Sequence, residues 1–554
     1  MSIMRMRRRF AVHLRYILYA IIGVFVLTLP AIFSGGGSRM RQSEDKGPAI
    51  LKDTVAEVNG TPLTRGDFER VYRRTANEFM AMAQVTGYAI GIERLPRGRL
   101  DAFDEAVIEH LVMKEAERQG ISVSKRQVGK RAAELAKQQL DQFKLQMKGQ
   151  QLEQYLAYFA SANDGQQRQS MSERNFLGWF TKFLTDTQAD NLRSDLVTQA
   201  LEKKLTGSIT ATEKELLASY DEAGLREIVV ALRPPGKPER TDAQARTRAE
   251  EILGKAKQGA DFAQLARTES DDEEAKYNGG LQPPVSVVHL SPAYQKAVAA
   301  LKAGDLVPQP IKTDRGYTVV KVETRERKLP EEYEKNKQQY LKDFTEQKRR
   351  TAWQQYQQQL RERAQVKVSD PEIRAYQEIQ QGHLDKALPL LQEATATADQ
   401  VGGLATASVY YELAIAYSVQ NKWKEAADAY AAANDALSGE HGIPQARSQA
   451  LIGMARCYEN LGQKEEAAKW YQVAGEASDV VSIHEQLLYA YQRLGNAELV
   501  KQEQQWMEEY QRKEQERAKA LQEQQRKMEE EAAKKRPRPA PSGPEGPAPA
   551  AKTD

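Results

Sequence analysis

Residues that commonly perform covalent or metal chemistry are scarce in this chain of 554 residues, which has one cysteine and six histidines. Its single cysteine, Cys457, excludes an internal disulfide, a Cys-x-x-Cys redox pair and a cysteine zinc cluster, and its neighbours favour a buried helix position. The sequence contains no Walker A, G-x-G-x-x-G, H-E-x-x-H or G-x-S-x-G motif. The acidic run 271–274 could recruit a cation, but acidic residues also cluster where helices start. We therefore expect no cofactor and no metal.

The stretch 225–323 contains a series of landmarks in a fixed order. It begins with the strand-like run 226–232 and continues with a helical stretch that ends at 259–266. Further landmarks and a closing hairpin follow at 270–272, 279–281, 290–294, 301–305 and 312–322. In this order and at this spacing, the stretch resembles the parvulin family of peptidyl-prolyl isomerases. The resemblance implies a parvulin-like α+β domain over 218–327.

The resemblance to parvulins implies three candidate catalytic residues, Glu227, Asp271 and Thr318. Parvulins usually carry one histidine in the first strand and another after the Gly-Tyr of the hairpin, and Glu227 and Thr318 occupy these positions. Asp271, or its neighbour Asp272, falls near the family's Cys or Asp. A Glu–Thr pair can hydrogen-bond, as the histidines are thought to do, but it changes the charge and shape of the site. An isomerase with residual activity and an inert fold both remain open.

Two further positions match the residues that grip the proline ring in parvulins, Leu290 and Tyr294. Prolyl isomerisation needs no covalent intermediate, because only rotation about the amide C–N bond is required, against a barrier of roughly 18–20 kcal/mol. A catalyst can hold the ring in an apolar pocket and disfavour the planar, charge-separated amide. Pro283 and Pro284 replace the family's usual Gly-Trp or Gly-Phe, so the loop into the pocket is altered. His289 is either a substitute for a family histidine or a loop residue without a role.

The N-terminal residues predict a membrane anchor. Five arginines lie within residues 1–15, and the eighteen residues 16–33 carry no charge. A helix of that length spans about 27 Å, enough to cross a hydrocarbon core. The positive-inside rule then predicts a cytoplasmic stub at 1–15, a single transmembrane helix at 16–33, and a flexible linker at 34–52. The bulk of the chain would lie outside the cytoplasm at the cell membrane. The alternative is a cleaved signal peptide.

The segment after the linker predicts a helical domain. Residues 55–64 alternate like a strand around an Asn59-Gly60 turn, and a later helix stops at Gly120, after which Ser124 can cap the next. These stretches resemble the N-terminal domain of SurA-type periplasmic chaperones and their membrane-anchored relatives of the PpiD class. The resemblance implies a domain over 53–217 that is completed by 328–370. Such domains hold unfolded segments in an apolar cradle.

A repeated pattern follows at 371–502. Tyr417 and Tyr458 occupy equivalent positions in two copies, and Tyr491 lies 33 residues after Tyr458 in a weaker third copy. The pattern resembles the tetratricopeptide repeat, in which small residues allow two helices to meet closely. It implies an α-solenoid whose concave face holds a peptide or protein partner. The alternative is a solenoid that dimerises or braces the chaperone part.

The C-terminal residues complete the domain organisation. Residues 503–535 predict a charged, solvated helix, and the Pro-rich residues 536–554 predict a disordered tail. The 80 basic and 77 acidic residues of the chain are nearly balanced, so no nucleic-acid partner is expected.

The sequence as a whole predicts a mainly α protein with one α+β domain. We interpret it as a membrane-anchored extracytoplasmic folding factor, a chaperone with a peptidyl-prolyl isomerase-type domain. Its partners would be unfolded or newly exported polypeptides, with a protein partner on the repeat solenoid. The alternative is a non-catalytic interaction protein, in which an inert parvulin fold and the repeats bind partners in the cell envelope.

Overall fold

The computed structural model describes residues 49–86, 91–438 and 444–534. The predicted basic stub, transmembrane helix and Pro-rich tail lie outside these residues, together with most of the linker 34–52. No helix within the described residues is long and apolar enough to cross a membrane. This part of the chain is mainly helical with a small sheet domain, which confirms the predicted mainly α class with one α+β domain.

The chain divides into two compact units. The first unit comprises Met1–Val197 and Arg363–Asp554, and the second comprises Thr198–Glu362. The second unit is therefore inserted, in sequence, between the two parts of the first.

The N-terminal part of the chain forms a hairpin followed by helices. Its elements are β1 (Thr54–Val58), β2 (Thr61–Thr64), α1 (Arg65–Thr86), α2 (Arg94–Arg118), α3 (Lys125–Gln146), α4 (Gly149–Asp164), α5 (Glu173–Thr187) and α6 (Ala189–Thr206). Asn59 and Gly60 turn the chain between the strands with φ of 49° and 76°, as the Asn-Gly pair predicts. The Ser124 side chain caps α3 in a capping box with Gln127, which confirms the predicted cap.

The second unit contains the α+β domain. Its elements after α6 are α7 (Glu213–Ser219), β3 (Asp221–Ala231), α8 (Asp242–Lys257), α9 (Phe262–Glu269), α10 (Ala275–Asn278), β4 (Val285–Ser286), α11 (Pro292–Val298), β5 (Ile311–Thr313), β6 (Gly316–Arg327) and α12 (Tyr333–Arg363). The strands form one antiparallel sheet in the order β4-β3-β6-β5. The long strands β3 and β6 therefore form the centre of the sheet, and the helices of the domain pack on its two faces.

The two faces of this sheet carry separate apolar cores, because successive residues of a strand point to opposite sides. Ile228 and Val230 pack with α8 and α9 on one face. Leu225 and Val320 pack with α11 on the other. The second face contains the candidate site, since Glu227 continues the alternation of Leu225 along β3.

The chain then returns to the first unit. The remaining elements are β7 (Val366–Val368), α13 (Pro371–Gln380), α14 (Leu384–Val401), α15 (Gly403–Val419), α16 (Trp423–Leu437), α17 (Pro444–Asn460), α18 (Lys464–Glu476), α19 (Val481–Leu494) and α20 (Ala497–Lys534). β7 pairs antiparallel with β1, so the small sheet has the order β2-β1-β7. The predicted charged helix forms the C-terminal part of α20.

Aromatic rings form the core of helices α3 to α5. Phe143 and Phe159 are fully buried with ring centroids 5.3 Å apart, and both contact Phe176 at 5.9 Å. Large rings bury much apolar area and favour such edge-to-face pairs. Two large apolar side chains near this core remain exposed, Leu145 at 79% and Tyr158 at 63%.

Helices α13 to α20 pack in sequential order, each against the next. Small residues lie where helices approach closely: a Cβ added to Gly453 would come within 2.5 Å of the Tyr430 ring. Cys457 is buried in α17, which confirms the predicted buried helix position. The assignment of these helices to the tetratricopeptide family stays a prediction.

Helix α2 contacts this helical array at two places. Arg99 is fully buried and donates hydrogen bonds to Glu69 of α1, at 2.8 and 2.9 Å, and to Glu372 of α13, at 2.6 Å. Just before α2, the fully buried Ile92 donates its backbone N–H to the Gln449 side chain at 2.8 Å. Ile92 also belongs to an apolar cluster with residues of α15, α16 and α17.

Candidate functional site

A cleft of about 490 Å³ lies in the α+β domain. It is open to solvent and contains both apolar and charged side chains. The lining residues are Leu225, Glu227, Asp272, Glu274, Gln282, Pro283, Val285, Leu290 and Arg315. Two of the residues predicted from the sequence, Glu227 and Leu290, therefore line the same cleft.

The position of Glu227 depends on a close backbone contact. Its N–H donates to the Gly280 carbonyl at 2.8 Å. Gly280 has φ of +78°, and a Cβ there would lie 2.2 Å from the Glu227 carbonyl oxygen, so only glycine fits. Burial raises the pKa of the Glu227 carboxyl, and a hydrogen bond from Tyr294 opposes this shift. Glu227 is thus a half-buried acid on the cleft floor.

Tyr294 joins Glu227 to Thr318. Its phenol hydrogen-bonds with both side chains, and burial together with the Glu227 charge raises the pKa of this phenol to about 12. Thr318 is 2% exposed and lies opposite Val229 of β3 and Ile311 of β5. A hydroxyl, a phenol and a carboxyl therefore form one chain of hydrogen bonds that ends in the cleft. Tyr294 and Thr318 do not line the cleft; they contact Glu227 from the protein interior, Tyr294 directly and Thr318 through Tyr294.

The Leu290 side of the cleft is apolar. Leu290 and Tyr294 pack against the core that contains Val298 and Ile311. The Gln295 side-chain amide donates to the Leu290 carbonyl at 2.7 Å, which fixes the turn into α11. Pro283 and Val285 extend this apolar lining. Such a surface can hold a proline ring. His289 is exposed and does not line the cleft.

Asp271 does not line the cleft. Its carboxylate is 1% exposed, accepts from the Lys237 ammonium at 2.9 Å, pairs with Arg240, and accepts from the Ala231 N–H at 3.1 Å. Burial would raise the pKa of Asp271, but the hydrogen bonds from Arg240, Lys237 and Ala231 hold it below its usual value. Asp271 thus fixes the end of β3 to the following loop, and its neighbour Asp272 lines the cleft instead.

The sequence reasoning missed two charged lining residues, Arg315 and Glu274. Arg315 lies in the turn between β5 and β6, and its side chain is 71% exposed with a guanidinium nitrogen 4.0 Å from Asp272. Its position immediately before the hairpin glycine, three residues from Thr318, was the available signal. Within the described residues, no group of acidic, histidine or cysteine side chains could hold a metal ion.

Two family models match the chain. Residues 228–324 match the PPIC-type PPIase domain, and residues 1–171 match the SurA-like N-terminal domain. The first match covers most of the α+β domain and begins one residue after Glu227. The chain therefore combines a PPIC-type peptidyl-prolyl isomerase domain with a SurA-like N-terminal domain, as the sequence resemblance predicted.

Curated relatives include foldases and a chaperone. Foldase protein PrsA 2 of Listeria monocytogenes is 30% identical over 188 residues, which cover 33% of this chain and 60% of that protein. Foldase protein PrsA of Caldanaerobacter subterraneus is 23% identical over 299 residues, which cover 52% of this chain and 78% of that protein. Chaperone SurA of Chromohalobacter salexigens is 37% identical over 90 residues, 16% of this chain and 20% of that protein.

Solved structures with a likeness to the chain include a crystal structure of PrsA from Bacillus cereus. That likeness has 20% sequence identity and a TM-score of 0.24, and covers 59% of this chain and 97% of the other. A PpiC-type isomerase domain shows 22% identity and a TM-score of 0.18, with 20% of this chain covered and 97% of the other. At TM-scores this low, neither likeness bears on the arrangement of this chain.

Proposed function

We propose that this chain, a SurA/PrsA-type parvulin chaperone by its two matched domains, is an extracytoplasmic folding factor that isomerises prolyl bonds in its clients. The observation that carries the proposal is the hydrogen-bonded chain Glu227–Tyr294–Thr318 at the floor of the PPIC-type cleft. Clients would be unfolded or newly exported polypeptides, which the SurA-like domain holds while the cleft acts on exposed prolines. Neither activity needs a cofactor.

The cleft would act by binding the twisted amide better than the planar one. Leu290, Pro283 and Val285 would hold the proline ring. Rotation about the C–N bond localises the nitrogen lone pair, because amide resonance is lost. Glu227 in its neutral form would donate a hydrogen bond to that nitrogen, and burial favours the neutral form. Tyr294 and Thr318 would hold the Glu227 side chain in place for this contact.

A second function is favoured by one specific observation. Both positions at which parvulins usually carry histidine hold other residues, Glu227 and Thr318, and Thr318 is buried behind Tyr294. The second proposal is therefore a non-catalytic interaction protein, in which the cleft binds proline-containing segments without isomerising them. Asp271 would then be structural in both proposals.

The two functions differ in their effect on a client whose refolding is limited by proline isomerisation. We expect the full chain in non-ionic detergent to accelerate the slow refolding phase and to suppress aggregation. The double variant Leu290→Ala/Tyr294→Ala should suppress aggregation through its SurA-like domain but leave the slow phase at its uncatalysed rate. A wild-type chain that suppresses aggregation without accelerating the slow phase supports the interaction protein instead.

Membrane anchoring is also proposed, on the uncharged run 16–33 that follows the arginine-rich N-terminus. The chain should stay in the membrane pellet after alkaline carbonate extraction, and protease added outside the cytoplasmic membrane should digest the bulk of it. Release of a shortened chain into the soluble fraction would identify 16–33 as a cleaved signal peptide.

For the repeats we propose a tetratricopeptide-like solenoid over 371–502 that braces the chaperone domain. Supporting contacts are those of Ile92 with Gln449 and of Arg99 with Glu372. The remaining domain bounds are proposed as predicted: a chaperone domain over 53–217 and 328–370, and a parvulin-like domain over 218–327. Removal of the solenoid should then lower the thermal stability of the chaperone domain, whereas a solenoid that only recruits a partner would leave it unchanged.

A further inference from the structure

The four acidic residues 271–274 fall into two groups, two that form ion pairs within the domain and two that line the cleft. Asp271 pairs with Lys237 and Arg240 of its own chain, and Glu273 pairs with Lys276 at 2.6 Å. The residues between and after them, Asp272 and Glu274, line the cleft instead. Alternate members of the run are thus neutralised within the domain, and the other two face the space where a peptide would lie.

The two cleft-lining acids have little compensation of their own. The Asp272 carboxylate accepts a hydrogen bond from the Glu274 backbone N–H at 3.2 Å. Its ion pair with the Arg315 guanidinium is long, at 4.0 Å, and the Arg315 side chain is mostly exposed. Within the described residues, the Glu274 carboxylate has no hydrogen-bonding or ionic partner. Glu227 adds a third carboxyl to the same cleft, against the single guanidinium of Arg315. The cleft therefore combines an apolar wall with an excess of acidic groups.

We propose that this cleft selects proline-containing segments that carry a lysine or arginine next to the proline. The proposal rests on the proposed function, since it assigns a substrate class to the same cleft. The apolar wall at Leu290 and Pro283 accepts the proline, and Asp272 and Glu274 accept the neighbouring cation. A segment with an acidic residue at that place is disfavoured by like-charge repulsion.

The expected preference is moderate and depends on salt. Ion pairs between exposed groups change affinity by about two- to fivefold each. With two such carboxylates, we expect a Lys-Pro peptide to bind several-fold more tightly than its Ala-Pro counterpart. A Glu-Pro peptide should bind more weakly than both. Because the Debye length falls to about 3 Å in 1 M salt, the difference should nearly vanish there.

The test uses the full chain in uncharged detergent and three peptides that differ only in the residue before proline, lysine, alanine or glutamate. Dissociation constants are measured by fluorescence anisotropy at low and at 1 M salt. The double variant Asp272→Asn/Glu274→Gln should bind all three peptides with the affinity that the wild type shows for the alanine peptide. Glu273→Gln is the matched control, because this neighbouring acid pairs with Lys276 and should leave the preference unchanged.

The outcomes separate this inference from the function on which it rests. Equal affinities for the three peptides at low salt would overturn the charge preference and leave the proposed function standing. No binding of any proline peptide by a folded chain would overturn the proposed function itself. A lysine preference that survives Asp272→Asn/Glu274→Gln would assign the selection to other residues and also overturn the inference. All the substituted side chains are at least partly exposed, so the variants should fold, and circular dichroism checks this.

Discussion

Tyr294 has a double role at the residue scale. Its ring packs beside Leu290 against the core that contains Val298 and Ile311. Its hydroxyl also connects the Glu227 carboxyl with the buried Thr318 hydroxyl. A phenylalanine would supply the first role and not the second, so the two contributions can be separated by single substitutions.

The first prediction concerns that separation. Tyr294→Phe should keep peptide affinity close to that of the wild type but lower the isomerisation rate about two- to tenfold, since a hydrogen bond between uncharged groups contributes roughly 0.5–1.5 kcal/mol. Tyr294→Ala should lose both affinity and rate. Peptide titration and NMR exchange on the two variants measure the two quantities. Equal rates in wild type and Tyr294→Phe would show that the hydroxyl has no part in catalysis.

The second prediction is a pH dependence set by Glu227. Its pKa is raised by burial, so the neutral, donating form persists above the usual range of a glutamate. Isomerisation should therefore be fastest at acidic pH and fall as pH rises through the raised pKa. Glu227→Gln, which always has donor hydrogens, should give a flat profile, and Glu227→Ala should be slow throughout. A wild-type rate that increases with pH would contradict the donor role.

At the element scale, the close packing of the 279–281 turn against β3 determines the shape of the cleft. The third prediction follows: Gly280→Ala should destabilise the α+β domain by on the order of 2–4 kcal/mol, from left-handed strain and overpacking. Differential scanning calorimetry measures this. Gly254→Ala is the control, because Gly254 lies in helix α8 with no atom within 4 Å of an added Cβ, and it should be neutral or slightly stabilising.

Helix α15 contains a half-buried acid, Glu412. Burial raises the pKa of Glu412 to about 7. The folded state therefore holds the proton more tightly than the unfolded state, so this group favours folding below its ordinary pKa. That contribution is lost as pH rises from about 4.5 to 7, on the order of 3 kcal/mol in all.

The fourth prediction is that Glu412→Gln removes this loss. Urea unfolding followed by tryptophan fluorescence should give a variant that is more stable than the wild type at pH 8 and similar to it at pH 4.5. Glu393→Gln, an exposed position on α14, is the control and should track the wild type. A parallel pH dependence in wild type and Glu412→Gln would show that Glu412 does not titrate in this range.

Local patterns predicted most elements of this fold. The Asn59-Gly60 turn, the Ser124 cap and the strand 226–232 each depend on residues adjacent in sequence, and the structure contains all three. For the site, the resemblance supplied the positions of Glu227 and Leu290, and both line the cleft. The ion pairs of Asp271 could not be predicted, because its partners, Lys237 and Arg240, reach it through tertiary folding, which no local pattern reveals. Arg315 was missed although its position immediately before the hairpin glycine Gly316 was a local signal.

At the scale of the whole chain, the N-terminal and C-terminal parts of the first unit share a buried ion cluster. Arg99 lies against the ring of Phe68 at 4.6 Å and pairs with Glu69 and Glu372, which are separated from each other by more than three hundred residues of sequence. Such a cluster is costly to bury, and removal of one member leaves the others uncompensated. It makes the SurA-like part and the helical array interdependent.

The fifth prediction tests this dependence. Arg99→Met should lower the free energy of unfolding of the first unit by about 3–5 kcal/mol, because it leaves the buried Glu372 carboxylate unpaired and leaves Glu69 with only the more distant Arg65 at 3.9 Å. The triple variant Glu69→Leu/Arg99→Met/Glu372→Leu should recover most of that loss. Arg97→Met, also on α2 but in an exposed pair with Asp101, should leave the unfolding midpoint unchanged. An Arg99→Met chain as stable as the wild type would contradict the coupling.

NMR exchange on an Ala-Pro peptide is the most direct test of whether the cleft with Glu227 on its floor is a working isomerase site. The uncatalysed reaction takes tens of seconds or more. The full chain in non-ionic detergent should produce cis–trans exchange well above that rate, and Glu227→Ala should abolish the acceleration without unfolding the protein. A folded wild-type chain that binds proline peptides but accelerates none of them would contradict the claim and leave the cleft as a binding site.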